Sequence, residues 1–297
     1  MNFTRLKLIL PFLLGILLVP ASSWAHGFAG KRFFPTTFQV DDPFISDEFS
    51  ILINQFKQPG DGPDRSTEIN IDMSKRLIPH FGFEFHEAWQ HLGSSDDGSA
   101  NGFENFGIGA KWQFLTDEKH EAIMSLGTDI DVGGTGARQL GSESFTTISP
   151  GIFFGKGMGD LPDSMNFLKP VAITGLVSPS FPTKAGEEGD LNWGFTFQYS
   201  FMYLEDFVKD IGLGQPFKRM IFITEFPMST CLDSGCGGQT TGTVNPGIVW
   251  AGKFAELGIA AEIPVNSASG HSVGVMGLVH LFVDDLFPNS LGRPIFK

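Results

Sequence analysis

Residues 191–204 read LNWGFTFQYSFMYL. Every odd position from 191 to 203 is large and apolar or aromatic: Leu191, Trp193, Phe195, Phe197, Tyr199, Phe201, Tyr203. The even positions from 192 to 200 are small or polar: Asn192, Gly194, Thr196, Gln198, Ser200. A period of two marks a strand with one greasy face and one wet face. The run is longer than the strands of soluble sandwiches, which average about five or six residues. It matches a strand that crosses a bilayer at a tilt, which needs roughly 9–11 residues. Rings with a polar handle sit toward its ends, Trp193 at one and Tyr199 and Tyr203 at the other. Such rings favour the membrane–water interface. In this reading Phe197 faces lipid and Gln198 faces the lumen.

The same alternation recurs along the chain. Residues 80–90 place Phe81, Phe83, Phe85 and Trp89 against His80, Gly82, Glu84, His86 and Gln90. Residues 103–115 set Phe106, Ile108, Ala110, Trp112 and Phe114 against Gly107, Gly109, Lys111 and Gln113. Further strands are expected at 47–56, 66–76, 121–132, 145–155, 169–177, 218–226, 243–251, 254–264 and 271–283. Pro150 and Pro246 weaken two of these. The expected total is twelve. An even count suits a bacterial barrel whose termini lie on one side. Polar, Gly-rich connections roughly alternate with short ones, as expected for long outer loops and short periplasmic turns. The fold class expected is therefore all-β, a transmembrane antiparallel up-and-down barrel, with the bacterial outer membrane as its location.

The amino terminus supports export. Arg5 and Lys7 precede an apolar run at 8–19, LILPFLLGILLV, and Ser23-Trp24-Ala25 offers a small-x-small cleavage site. That is the pattern of a secretory signal peptide over 1–25, too short for a membrane-spanning helix. Residues 26–46, irregular and Pro-bearing, read as a periplasmic lead-in. Residues 47–283 read as the barrel and 284–297 as a tail. The net charge of −13 argues against nucleic acid as a partner. No nucleotide or cofactor motif is present, and no G-x-S-x-G, so an enzyme is the lesser reading beside a channel. Membrane lipid, a small solute and, during biogenesis, the barrel-assembly machinery are the partners expected. Cys231 and Cys236 are the two cysteines of an exported chain and read as one disulfide shaping a loop tip.

With its signal peptide, its alternating strands such as 81–89 and 193–203, and its Gly-rich strand 106–114, the chain resembles the bacterial outer-membrane β-barrels. Within them it is most similar to the channel-like group associated with the phenol-degradation (MetA) pathway. The resemblance implies passive passage of small solutes, with apolar or aromatic ones among them. Barrels of this class end on an aromatic-terminated last strand. Here DDLFPNSLGRPIFK follows, which places the assembly signal near Leu281-Phe282.

The inward parity collects Glu68, Asn70, Asp72, Glu84, His86, Asp129, Asp131 and Gln198, with Lys111 as the counter-charge. Two readings stand. Carboxylates lining an open lumen would favour cations and neutral polar solutes. An internal ion-pair network would instead plug a barrel of this width. His80, Glu84, His86 and His91 lie close in sequence, but a metal needs ligands converging from neighbouring strands, which the sequence does not display. An apolar solute would need a greasy inner patch, such as Phe153 on the strand expected at 145–155.

Overall fold

The structure, a computed structural model, describes residues 27–57, 65–93, 98–233 and 235–296. The expected signal peptide lies outside them. After a small hairpin, β1 (Phe28–Ala29) with β2 (Arg32–Phe33), the chain winds as an antiparallel meander. Its strands are β3 (Glu48–Phe56), β4 (Arg65–Ile78), β5 (Phe81–Gly93), β6 (Ser99–Phe103), β7 (Gly107–Asp117) and β8 (Ala122–Asp131). Next come β9 (Thr147–Gly157), β10 (Val171–Pro182), β11 (Asp190–Ser200) and β12 (Met220–Cys231). The last are β13 (Thr240–Ala251), β14 (Ala255–Pro264) and β15 (Gly274–Phe282). Each pairs with its neighbour, and β15 pairs back onto β3, from Val275 opposite Gln55 to Phe282 opposite Glu48. The sheet is closed.

The barrel has twelve wall positions because β6 and β7 share one. β6 pairs with the upper half of β5 and β7 with its lower half. The strand expected over 103–115 is β7, which starts at Gly107, while β6 reaches that range only at Phe103. The prolines are accommodated where ladders break. Pro150 and Pro179 fall in the gap between the Val177–Ile152 and Phe181–Ile148 pairs. Pro246 falls where the β13–β14 pairing skips from Val244 to Gly247. A residue without an N–H costs nothing where no bond is made. β11 ends at Ser200, whose hydroxyl accepts from the Tyr203 N–H and turns the chain into a short helix over Phe201–Tyr203. Phe201 and Tyr203 are therefore not strand residues, although the alternation runs through them.

Residues 32–47 depart most from expectation. They do not hang below the barrel but enter it. The Thr36 N–H bonds Glu256 on β14 and the Phe38 N–H bonds Glu225 on β12. A few residues later the Lys111 ammonium on β7 meets Asp41, and the Ser125 hydroxyl on β8 donates to the Pro43 carbonyl. One short segment can touch opposite walls of a closed cylinder only from within. It rises to an apex at Gln39–Asp42 and returns to start β3.

Both feet of this plug are clamped. At the entry, Arg32 is fully buried, donates to Glu121 and to the carbonyls of Lys169 and Pro170, and stacks 3.8 Å from the Tyr203 ring centre. The Tyr203 hydroxyl donates to Glu121 at 2.7 Å, and burial with that bond pushes it above its usual range. At the exit, Asp47 accepts from Arg76 and Lys75, and Arg76 also reaches Asp284 just past β15. The tail folds back under β4, where the N–H groups of Ile295 and Phe296 bond the carbonyls of Arg76 and Leu77.

Candidate functional site

The two faces of the wall differ in chemistry. Outward positions carry large exposed apolar side chains around the cylinder, among them Ile53, Met73, Trp112, Leu126, Ile152, Phe197, Phe222 and Ile259, the last 57% exposed. In water such a belt would be an association hazard. Around a barrel closed by the pairing of β15 with β3, it is a lipid-facing surface. The chain is a membrane-spanning β-barrel. The first and last described residues and the short turns at 79–80 and 252–254 share one end, the periplasmic one by this architecture. The disulfide-bearing connection between β12 and β13 is at the other.

Inward, the wall is of two kinds. Over β12–β15 and β3 it is largely apolar, and Ile223, Val249, Ala260, Met276, Leu278 and Leu52 pack around Phe38 of the plug. Four carboxylates interrupt that surface, Glu48, Glu225, Glu256 and Glu262, and two of them hold the backbone of the plug. Glu225 accepts backbone N–H bonds from Phe38 at 2.6 Å, Gln39 at 2.8 Å and Val40 at 3.3 Å. Glu256 accepts from Thr36 at 2.9 Å. A loop inside a barrel must satisfy its backbone donors somewhere, and here the wall supplies the acceptors. Asn245 donates to the Gln39 side chain at 2.7 Å. Small inward residues make room, since a Cβ on Gly194 would lie 2.9 Å from Val40 and one on Gly258 2.8 Å from Phe38.

The opposite wall, β4, β5, β7 and β8, is acidic. Lys111, 1% exposed, sits between Glu84 at 2.9 Å and Asp41 of the plug apex at 3.0 Å. Its ammonium also lies 4.8 Å from the Phe153 ring centre. Phe153 is buried under that lysine, so the greasy patch expected there is covered. His86 meets Asp72 through Nδ1 at 2.8 Å and approaches Asp129 through Nε2 at 3.5 Å. Asn70 donates to Glu68 at 2.6 Å. Asp131 lies opposite Gly107, where a Cβ would stand 3.5 Å from its carboxylate. Gln198 is inward but 3% exposed and bonded to Thr174. His80 falls in the turn before β5 and not on the strand, while His91 stacks on Trp89, an outward residue.

Space remains between plug and acidic wall. A cavity of about 340 Å³ is bordered by Phe38, Leu52 and Leu278 on one side and by Asp41, Asp72, Glu84, His86 and Asp129 on the other. A wider one, about 580 Å³, lies toward the outer mouth with Glu68, Asn70, Asn192 and Glu262 in its lining. Both are bordered by Phe38, Gln39, Leu52 and Asp72. Of the inward polar residues that alternation does not reveal, Glu225, Glu256, Asn245 and His280 matter most, all of them fully buried. Their one sequence signal is parity with neighbours such as Ile221, Ile223 and Leu278, whose apolar character hides an inward face.

The Cys231–Cys236 disulfide is formed, beside the outer mouth. At the periplasmic end Asp160 is held below the usual carboxylate range by the Lys156 ammonium and then by His120.

No family model matches the chain, and no curated protein matches it. Solved structures do share its outline. It is similar to the KdgM porin at 12% identity and TM-score 0.48, over 79% of this chain and 98% of that one. It is similar to an outer membrane channel from Pseudomonas putida F1 at 9% identity and TM-score 0.48, over 84% and 99%. It is also similar to LpxR from Salmonella typhimurium at 12% identity and TM-score 0.45, over 79% and 99%. Likeness at this level carries no activity or solute from one chain to the other.

Proposed function

We propose that this protein is a passive outer-membrane channel for small solutes, narrowed by its own amino-terminal segment. The observation that carries the reading is the succession of two cavities, acidic on one wall, that share a border at Gln39, Leu52 and Asp72. Glu68, Asn70, Asp72, Glu84, His86, Asp129 and Asp131 are the lining residues of the pathway. Carboxylates at this density favour cations and neutral polar molecules over anions. The inner cavity also has an apolar border, so a solute with an aromatic body and a neutral or cationic polar end suits both sides. That fits the aromatic solutes implied by the resemblance to the phenol-pathway group. An acidic oligosaccharide, such as the oligogalacturonate named with one KdgM structure, does not suit this lining. Lipid against the outer aromatics and the barrel-assembly machinery acting near Leu281-Phe282 complete the proposed partners.

The test is conductance in planar bilayers. Wild type is compared with a variant carrying Glu84→Gln, Asp129→Asn and Asp131→Asn. The expected result is cation selectivity that falls in the variant. Absence of conductance in wild type and in a plug-shortened form, with no solute uptake into liposomes, would reject a channel.

A further inference from the structure

Three residues of the acidic wall, besides lining the proposed pathway, form a ligand set of their own. Glu84 and His86 lie on β5 and Asp129 on β8, and one donor atom from each falls within 4.8 Å of the others. The strand between them is β7, and its residue at this level is Gly109, paired with both Glu84 and Asp129. A Cβ on Gly109 would collide with Asp129 Oδ1 and lie 3.4 Å from Glu84 Oε2. The glycine thus leaves the space in which side chains from strands two positions apart converge. Lys111 engages Glu84 Oε1, which leaves Oε2 on the Gly109 side.

His86 supplies the independent observation. Its Nδ1 is 2.8 Å from Asp72, a carboxylate on a third strand. Its Nε2 is shielded from solvent and has no hydrogen-bond partner, although Asp129 lies 3.5 Å away. An imidazole that gives Nδ1–H to a carboxylate keeps its Nε2 lone pair free, and this carboxylate–histidine pairing is how proteins orient a ligating histidine. In that tautomer Nε2 lies 3.5 Å from Asp129 Oδ1 and within 4.8 Å of a Glu84 carboxylate oxygen.

We propose that Glu84, His86 and Asp129 form a binding site for a divalent transition-metal cation in the lumen, with Asp72 orienting the histidine. One nitrogen and two carboxylates suit zinc-like ions, whereas calcium and magnesium prefer oxygen alone. Bonds of roughly 2.0–2.2 Å bring ligand atoms closer together than they stand here, so binding draws the three side chains inward. Three protein ligands leave a fourth position open to the inner cavity. A cation held there sits on the proposed pathway and would obstruct or select what passes. The site itself does not depend on that pathway conducting.

The experiment is zinc chloride titrated calorimetrically into the chelator-stripped, detergent-solubilised barrel, with folding checked by the migration of unheated protein on gels. Saturable binding near one zinc per barrel is expected, with magnesium at least tenfold weaker. His86→Ala and Asp129→Asn should each weaken zinc tenfold or more, and Asp72→Asn tenfold to a hundredfold. Gly109→Ala, which alters no ligand, should weaken it as well, and His120→Ala, at the exposed Asp160 pair, should not. If His86→Ala fails to fold, His86→Gln replaces it. No saturable zinc binding, equal affinity in the His86 variant, or magnesium binding as tight as zinc would overturn the site. Zinc binding without conductance would reject the channel alone; conductance without zinc binding would reject the site alone.

Discussion

Removing the Glu225 carboxylate should release the apex of the plug. Three backbone donors converge on it, at 2.6, 2.8 and 3.3 Å. A hydrogen bond to a charged group contributes about 1.5–3 kcal/mol. Counting the two shorter bonds at the low end gives about 3 kcal/mol lost in Glu225→Ala. At 1.36 kcal/mol per tenfold, the ratio of released to docked apex rises about a hundredfold. The plug stays in the barrel, because Lys111 still holds Asp41 and the clamps at Arg32 and Asp47 are untouched. Accessibility of the apex is the quantity to measure. Val40 is 1% exposed, and the two native cysteines are joined, so Val40→Cys introduces a single reactive thiol. Its labelling by a polar maleimide should be about a hundredfold faster with Glu225→Ala than without it, by the same conversion. Glu225→Gln keeps one acceptor oxygen and should fall between. Equal labelling rates in all three would refute the view that this carboxylate docks the loop. So would a Gln variant as fast as the Ala variant.

Three further perturbations separate the faces and the clamps. Phe197→Arg puts a charge among lipid tails and should cost up to about 4 kcal/mol depending on its depth, whereas Asn192→Arg in the outer cavity should cost far less; equilibrium urea unfolding in vesicles measures both. Arg76→Ala leaves Asp47 and Asp284 buried without their guanidinium and should cost about 3–5 kcal/mol, read as a lower temperature at which the barrel loses its compact gel migration. Reducing the Cys231–Cys236 bond opens only a small ring, so the same temperature should shift slightly, by the equivalent of about 2 kcal/mol or less, with conductance unchanged.

The wall is legible in the sequence wherever lipid and water are the two sides of a strand. β4, β5, β8 and β11 alternate plainly, and each is a paired strand of the wall. Legibility fails where the inside of the barrel is not wet. Ile223, Val249, Met276 and Leu278 point inward yet are apolar, because Phe38 covers them, and Ile221 likewise packs with Phe33. Alternation vanishes when both faces are greasy, which is why β12 and β13 are longer than alternation predicts, and why it does not reveal Glu225 and Glu256. The plug carries no periodicity at all. Its partners lie between about 29 and 220 residues away in sequence, as for Asp47 with Arg76 and Thr36 with Glu256, and only a closed sheet brings them together. The candidate site is half visible. Glu84 and His86 share a strand parity, but Asp129 reaches them only across a glycine on an intervening strand.

The contact of Arg76 with Asp47 and Asp284 bears on how the molecule is made. Asp47 stands just before the first strand of the wall and Asp284 just after the last, and the seam between those strands is the final one to form in a meander that pairs in sequence order. Until then β3 and β15 are bare edges, open to pairing with any other chain. Arg76 can neutralise Asp47 as soon as the first hairpin exists, but it acquires Asp284 only when the last strand has docked. Ser50 and His280, 2.8 Å apart across the same seam, are likewise joined only then. An unfinished barrel and a finished one therefore differ by a small set of polar contacts gathered at one line on the wall. Damage along that line should lower the yield of assembled barrel more than it alters any barrel that has closed.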